Sequence, residues 1–399
     1  MFNKNQPLLL ATLTSLMAPF SLASSFVDPV DGKFDMGHYI AENAHGFLPV
    51  PIIITEPAVG YGGGLAGLFL HESEEEKQAR KQAARMSVDG GARLVPAAMT
   101  VVGAAGTQNG SWLAFAGHRH SWFKDAIRYS GGAGLGQVNL DVYREFSDVP
   151  LVGDLSFEIG TENKGIAALQ HLQFRVARTP LMLGIKQIWM KTDVTLDTGN
   201  DTADKILEKI GDTGLVPGLG ETTNSALGLT VEYDTRDNIF YPTTGYILNG
   251  DYMFYDRQLG GDYDYQVFNF DGEGYIPLAE KWNLAFAGNY QQFETDDLMV
   301  PLTSKPYVDM RGVPSFRYQG DKIQTVQSQV TYDIDNRWNV SAFYGYGEAL
   351  NDSSEDQSVQ AYGAGFRYKI ARRYGLRMGM DLAISEGEVT TYINVGTGF

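Results

Sequence analysis

His118 and His120 stand two residues apart, so in a strand they share one face and form the first pair here that could hold a metal. No third ligand follows at a matching spacing, and the chain has 0 Cys, which removes thiolate sites, cysteine nucleophiles and disulfides together. The pair therefore reads as interfacial or loop histidines, and no metal or cofactor is expected. Nucleophilic chemistry fares no better, because Gly-x-Ser-x-Gly, His-Glu-x-x-His and the phosphate loop are all missing. Acidic stretches at 72–76, 193–212, 294–297 and 351–356 lack calcium-loop spacing and read as solvated loops. The expectation is that this is not an enzyme.

The remaining charges follow a different rule, falling on alternate residues of apolar runs. In 375–385, Leu376, Met378, Met380, Leu382 and Ile384 point one way, while Arg377, Gly379, Asp381 and Ala383 point the other. In 322–334, Val326, Val330 and Ile334 oppose Thr325, Gln327, Gln329 and Asp333. A two-residue period makes strands with one apolar and one wet face. If the apolar face meets lipid, the charged face must line a lumen, which places Arg377, Arg367, Lys369, Asp271 and Asp381 inside. The final stretch, 388–399, alternates up to Phe399, as a barrel-closing strand with an interfacial aromatic would.

These elements predict a closed antiparallel transmembrane β-barrel of about sixteen strands spanning 58–399. Among the runs are 58–70, 151–163 and 166–178. Short turns alternate with long connections at 71–92, 196–223, 294–321 and 349–357, predicting long loops on the outer rim. Two loop segments, Glu74–Met86 and Ala203–Ile210, read as helices. Residues 1–23, with Lys4, the apolar run Pro7–Met17 and Ser21-Leu22-Ala23, read as a signal peptide. Residues 24–57 hold Pro29, Pro49, Pro51 and Pro57, do not alternate, and read as a short periplasmic or lumenal segment. A composition of 46 Gly, 22 Tyr and 21 Phe at 43% hydrophobic residues suits a barrel. The net charge of −17 argues against nucleic acid or an anionic membrane surface as a target.

Met310-Arg311-Gly312-Val313-Pro314-Ser315-Phe316 lies between the eleventh and twelfth predicted strands. Here the chain resembles the BamA/TamA-type outer-membrane assembly and translocation barrels, also called the bacterial surface antigen family. Three more stretches match in order: Asp234–Gly245, Gly363–Tyr368 with Gly375–Ala383, and Phe399 as the assembly signal. The resemblance implies an inward-folded loop between strands 11 and 12, with the Arg311–Gly312 motif docked on the barrel wall. It also implies location in a Gram-negative outer membrane, contact with its lipids, and use of the host barrel-assembly machinery. Two departures stand out. The family's customary acidic positions are Gln329 and Gly345 here, and Val313 replaces an aromatic. An enclosed guanidinium needs an acceptor, so Asp381, then Asp333 or Glu348, are the candidate partners of Arg311. The 24–57 segment is also too short for a POTRA domain.

The function expected from this resemblance is insertion or passage of a polypeptide or lipid client. The seam would lie between 58–70 and 388–399, loosened by Gly60, Gly62, Gly63 and Gly64. The alternative is a passive channel or structural barrel, with Arg377, Arg367, Lys369 and Asp271 setting ion preference.

Overall fold

Alternation over most of the chain produces a single antiparallel sheet in the computed structural model, which describes residues 26–37, 39–40, 47–87, 98–149, 153–197, 220–297, 300–301, 304–352 and 355–396. Its strands are β1 (Phe47–Ile54), β2 (Gly62–His71), β3 (Ala98–Thr107), β4 (Trp112–Trp122), β5 (Ile127–Val149), β6 (Gly153–Arg175), β7 (Leu181–Asp197) and β8 (Gly220–Asp234). They continue as β9 (Gly245–Tyr255), β10 (Tyr265–Ala279), β11 (Trp282–Thr295), β12 (Lys322–Asp333), β13 (Trp338–Leu350), β14 (Gln357–Ala371), β15 (Leu376–Ser385) and β16 (Glu388–Val395). Each strand pairs with its neighbours in chain order, so the sheet is a 16-stranded meander curled into a nearly closed barrel.

The two faces separate as the period requires. On β14 and β15, Tyr362, Phe366 and Leu382 are exposed outward, whereas Ala361, Arg367, Lys369, Arg377 and Asp381 are buried inside. Aromatic residues collect at strand ends. Trp282 lies against Tyr332 with ring centroids 4.8 Å apart, and Trp338 lies 4.7 Å from Tyr368. Both pairs and Trp122 fall on the rim with the short turns 280–281 and 334–337, where amphipathic rings suit a membrane interface.

Two strand boundaries differ from the sequence expectation. The barrel begins at β1, inside the segment 24–57, rather than at Ala58. Pro49 and Pro51 argued against a strand, yet an edge strand tolerates proline because one of its sides has no ladder partner. The runs 151–163 and 166–178 are one strand, β6, in which Gly165 pairs with both Gly136 and Thr192 instead of forming a turn. One strand missed and one divided leave the number sixteen unchanged, but parity shifts between them. The connection 72–97 therefore lies on the short-turn rim, not with the long outer loops. It carries α1 (Glu74–Met86), whose Ser73 accepts from the Glu76 amide at 3.2 Å while Glu76 accepts from the Ser73 amide at 2.9 Å. The expected signal peptide, the helix Ala203–Ile210 and Phe399 lie outside the described residues.

Candidate functional site

The long connection 296–321 between β11 and β12 carries Arg311 and Gly312 to the inner wall, where Asp381 and Arg367 stand. Its Val308, Met310, Val313 and Tyr318 are buried against Ile323, Ala349, Val359 and Ala361, which face inward from β12 to β14. Small residues in the wall make the fit possible. A Cβ added at Gly345 would lie 2.8 Å from the Met310 sulfur, and one at Gly347 2.6 Å from a Val308 methyl. Gly345, a departure from the acid that the resemblance would place there, is thus where Met310 enters. Gly312 has φ +94°, a left-handed backbone open to glycine at little cost, and its Cα side faces the Ala383 and Ala361 methyls.

That packing presents Arg311 to the wall. Its guanidinium donates to Asp381 at 3.0 Å and lies 3.8 Å from the centroid of the Phe343 ring. Asp381 is fully buried and also accepts two bonds from Arg367, at 2.6 and 2.7 Å, and one from the Asn394 amide at 2.8 Å. One carboxylate therefore serves two guanidiniums, bidentate toward one of them, which is the strong geometry for such pairs. The other two candidates lie elsewhere. Asp333 accepts from Arg377 at 3.5 Å and from Asn283 at 3.2 Å, and Glu348 accepts from the Tyr346 hydroxyl at 2.6 Å.

The inward charges divide between the two halves of the barrel. Asp271 accepts from Asn249 at 2.9 Å on the far wall. Lys369 is buried on β14, where its backbone carbonyl accepts from Arg337 at 3.0 Å. Arg377 lies 4.5 Å from the Tyr241 ring, and the Tyr241 hydroxyl accepts from Asn339 at 2.7 Å. Tyr241 reaches this position because the turn 235–244 folds over the short-turn mouth, where Asn238 donates to the Tyr374 carbonyl at 3.2 Å. Arg367 and Arg377 are thus engaged in the wall rather than presented to passing ions.

The seam lies one strand away from its expected place. Gly62, Gly63 and Gly64 belong to β2, paired with β1 on one side and β3 on the other, and Gly60 lies in the preceding connection. A Cβ at Gly64 would fall 2.1 Å from the Ala104 carbonyl oxygen, so close approach to β3 accounts for that glycine, not a loosened edge. The edge strands are β1 and β16, and no ladder joins them among the described residues. Thr55 accepts from the Ile393 amide at 3.4 Å, which sets the outer end of β1 beside the last residues of β16. The two edges therefore run side by side over only a short stretch. A proline held in a ladder turns its missing N–H away from its partner. Pro49 and Pro51 pair with Gly67 and Leu65 of β2, so the side they leave without donors is the seam side. Alternate prolines in an alternating apolar run were the available signal for this edge.

The motif loop spans this gap. On the β15–β16 side, Arg311 holds Asp381, the Gly312 amide donates to the Tyr392 hydroxyl at 2.9 Å, and Arg317 pairs with Glu386 at 3.1 Å and Glu388 at 3.3 Å. On the β1 side, the Ser315 amide donates to Glu56 at 3.1 Å. The loop thus holds both sides of an unzipped edge.

Residues 173–309 match the Omp85 superfamily domain. The fold is similar to BamA from Haemophilus ducreyi, solved without POTRA domains 1–3, with TM-score 0.55 at 10% identity over 87% of this chain and 68% of that one. It is also similar to CdiB from Acinetobacter baumannii, with TM-score 0.53 at 10% identity over 88% of this chain and 59% of that one. CdiB from Escherichia coli gives TM-score 0.57 at 9% identity over 87% and 61%. The chain thus spans about three fifths of the two CdiB proteins. No curated protein matches the sequence.

Proposed function

We propose that this chain, a BamA/TamA-type barrel with an Omp85 superfamily domain, inserts or passes a polypeptide or lipid client at the outer membrane through the seam between β1 and β16. The observation that carries this reading is the seam itself: two strand edges without a described ladder, one lacking amide donors at Pro49 and Pro51, bridged by the loop 296–321. Unpaired backbone groups are costly in lipid, so a sheet left unzipped there is a place where another strand or an amphipathic molecule can enter. The partners are outer-membrane lipids and such a client, and the barrel performs no enzymatic chemistry of its own.

The test is a lock. Thr55→Cys with Ile393→Cys places thiols on residues whose backbone and side chain already touch, in a chain with 0 Cys. In a deletion strain that loses particular outer-membrane proteins or lipids, the reduced pair should complement and the cross-linked pair should not. Equal complementation by the locked barrel would remove the seam from the mechanism.

A further inference from the structure

At the opposite rim from the motif loop, residues 26–37 form a small hairpin closed by a bridge between Val27 and Phe34. It seats on Arg337, in the β12–β13 turn, and Arg372, in the β14–β15 turn. Arg337 is fully buried, and all of its side-chain nitrogens donate: Nε to Asp31 at 2.6 Å, one terminal nitrogen to Asp28 and to Asp31 at 3.0 Å, the other to Asp35 and to the Lys369 carbonyl at 3.0 Å. Arg372 adds bonds to Asp28 at 2.5 and 3.1 Å, and its backbone amide donates to Asp35 at 2.9 Å. At the edge of the seat, Lys33 pairs with Asp335 at 3.1 Å.

The chain then turns toward the other side of the seam. Ile40 is buried in a cluster with Leu70 of β2 and with Ala371 and Tyr374 beside β15. Leu68 and Met99 extend this cluster on the β2–β3 side, and Leu376 on the β15 side. The segment is therefore held by charges to the strands that precede β16 and by apolar contact to the strands that follow β1. Nothing in the sheet requires such an excursion, because β1 could begin at the rim without it. A guanidinium saturated by three carboxylates is a specific and reversible seat, strong while intact and forfeited when one side is removed.

We propose that residues 26–37, with Ile40, are a strap that clasps the β1–β16 seam at the short-turn rim, complementing the motif loop on the other side, so that release of the strap from Arg337 and Arg372 is a step in seam opening. This regulation rests on the seam reading above. The strap has a second consequence, since docked it also occupies part of the mouth that the turn 235–244 covers.

The test uses the full chain with two cysteine pairs, introduced separately. Lys33→Cys with Asp335→Cys reports strap docking, and Thr55→Cys with Ile393→Cys reports closure of the seam, each read as yield with a short bifunctional thiol reagent in native membranes. Asp28→Asn, Asp31→Asn and Asp35→Asn together should lower the yield of both pairs by roughly tenfold, since a buried charge deprived of its partners forfeits far more than thermal energy. Ile40→Asn leaves the charges in place and cuts the apolar anchor, and should lower the seam yield in the same direction. This second variant answers the question if the triple variant does not fold. Loss of the strap cross-link with an unchanged seam yield overturns the clasp, and so does a strap cross-link that survives the triple substitution. Neither result touches the complementation test of the locked seam, and complementation by the locked barrel would leave these yields unchanged.

Discussion

Asp381 is the residue on which the lumenal network converges, because it balances Arg311, Arg367 and Asn394 from a fully buried position. Asp381→Asn keeps the shape and removes the charge, leaving two enclosed guanidiniums facing an amide. Breaking a buried pair this way costs about 3–5 kcal/mol. Arg311→Ala should cost less, because Arg367 stays bidentate on Asp381 and only the loop loses its anchor. The midpoint of thermal unfolding in detergent should therefore fall further for Asp381→Asn than for Arg311→Ala, and the reverse order would contradict this account. At the strap, acid supplies a second test. Arg337 donates to Asp31 and holds its carboxyl below the usual value of 3.8. Asp28 is also lowered: burial opposes ionisation there, but hydrogen bonds from Arg372 and the Val30 amide outweigh it. Asp335, held by the Trp338 and Arg337 amides and by Lys33, falls to about 2. Burial alone would lower Arg337, yet Asp31 and Asp35 raise it above its ordinary value, so it stays charged throughout. Carboxyls with depressed values stabilise docking fully above the unfolded value and lose that contribution as pH falls through the folded one. Strap docking should accordingly be constant from neutral pH down to about 4 and be lost below it. The distance between spin labels at Val30→Cys and Glu280→Cys, both exposed and outside the charge network, followed against pH would record this, and a separation near pH 6 would implicate other groups.

Among the elements, β1 combines a strand's alternation with the composition of a linker. Its sequence Phe-Leu-Pro-Val-Pro-Ile-Ile-Ile pairs fully with β2 while its free edge lacks amides at two alternate positions. Pro49→Val with Pro51→Val would return both donors to that edge without disturbing the β2 register. Each hydrogen bond so gained is worth about 0.5–1.5 kcal/mol net, so seam cross-linking should rise and complementation should fall. Unchanged seam behaviour would show that the prolines are merely tolerated at an edge. The loop 296–321 behaves as the opposite kind of element, irregular in backbone but seated by Val308 and Met310 in spaces left by Gly347 and Gly345.

For the molecule as a whole, both mouths are narrowed by the chain itself. The loop 296–321 packs on the inner wall at one end, and the strap and the turn 235–244 lie across the other. A barrel so arranged should carry little steady current in a planar bilayer, and undoing both ends with Arg311→Ala and the three Asp→Asn substitutions should raise it. A large, stable conductance from the unaltered chain would favour the channel reading, with Lys369 and Asp271 as its selectivity charges. The motif loop and strap act at opposite rims of one seam, so the closed state depends on two contacts far apart in sequence.

The sequence by itself determined the period-two faces, the antiparallel meander, the lumenal side of Arg377, Arg367 and Asp381, and the pairing choice of Arg311, because each follows from local alternation or from the need of an enclosed charge for an acceptor. Helix α1 was legible for the same reason, its Glu, Lys and Arg residues recurring at helical spacing within 74–86. Tertiary structure decided what depends on partners distant in sequence. Whether Pro49 and Pro51 break a strand or edge one depends on which side has a neighbour, and whether Gly62–Gly64 loosen a strand or admit another depends on the strand beside them. Arg337 lies 302 residues along the chain from Asp35 and 309 from Asp28. No spacing could join them, since only closure of the barrel brings the first turns of the chain against the last.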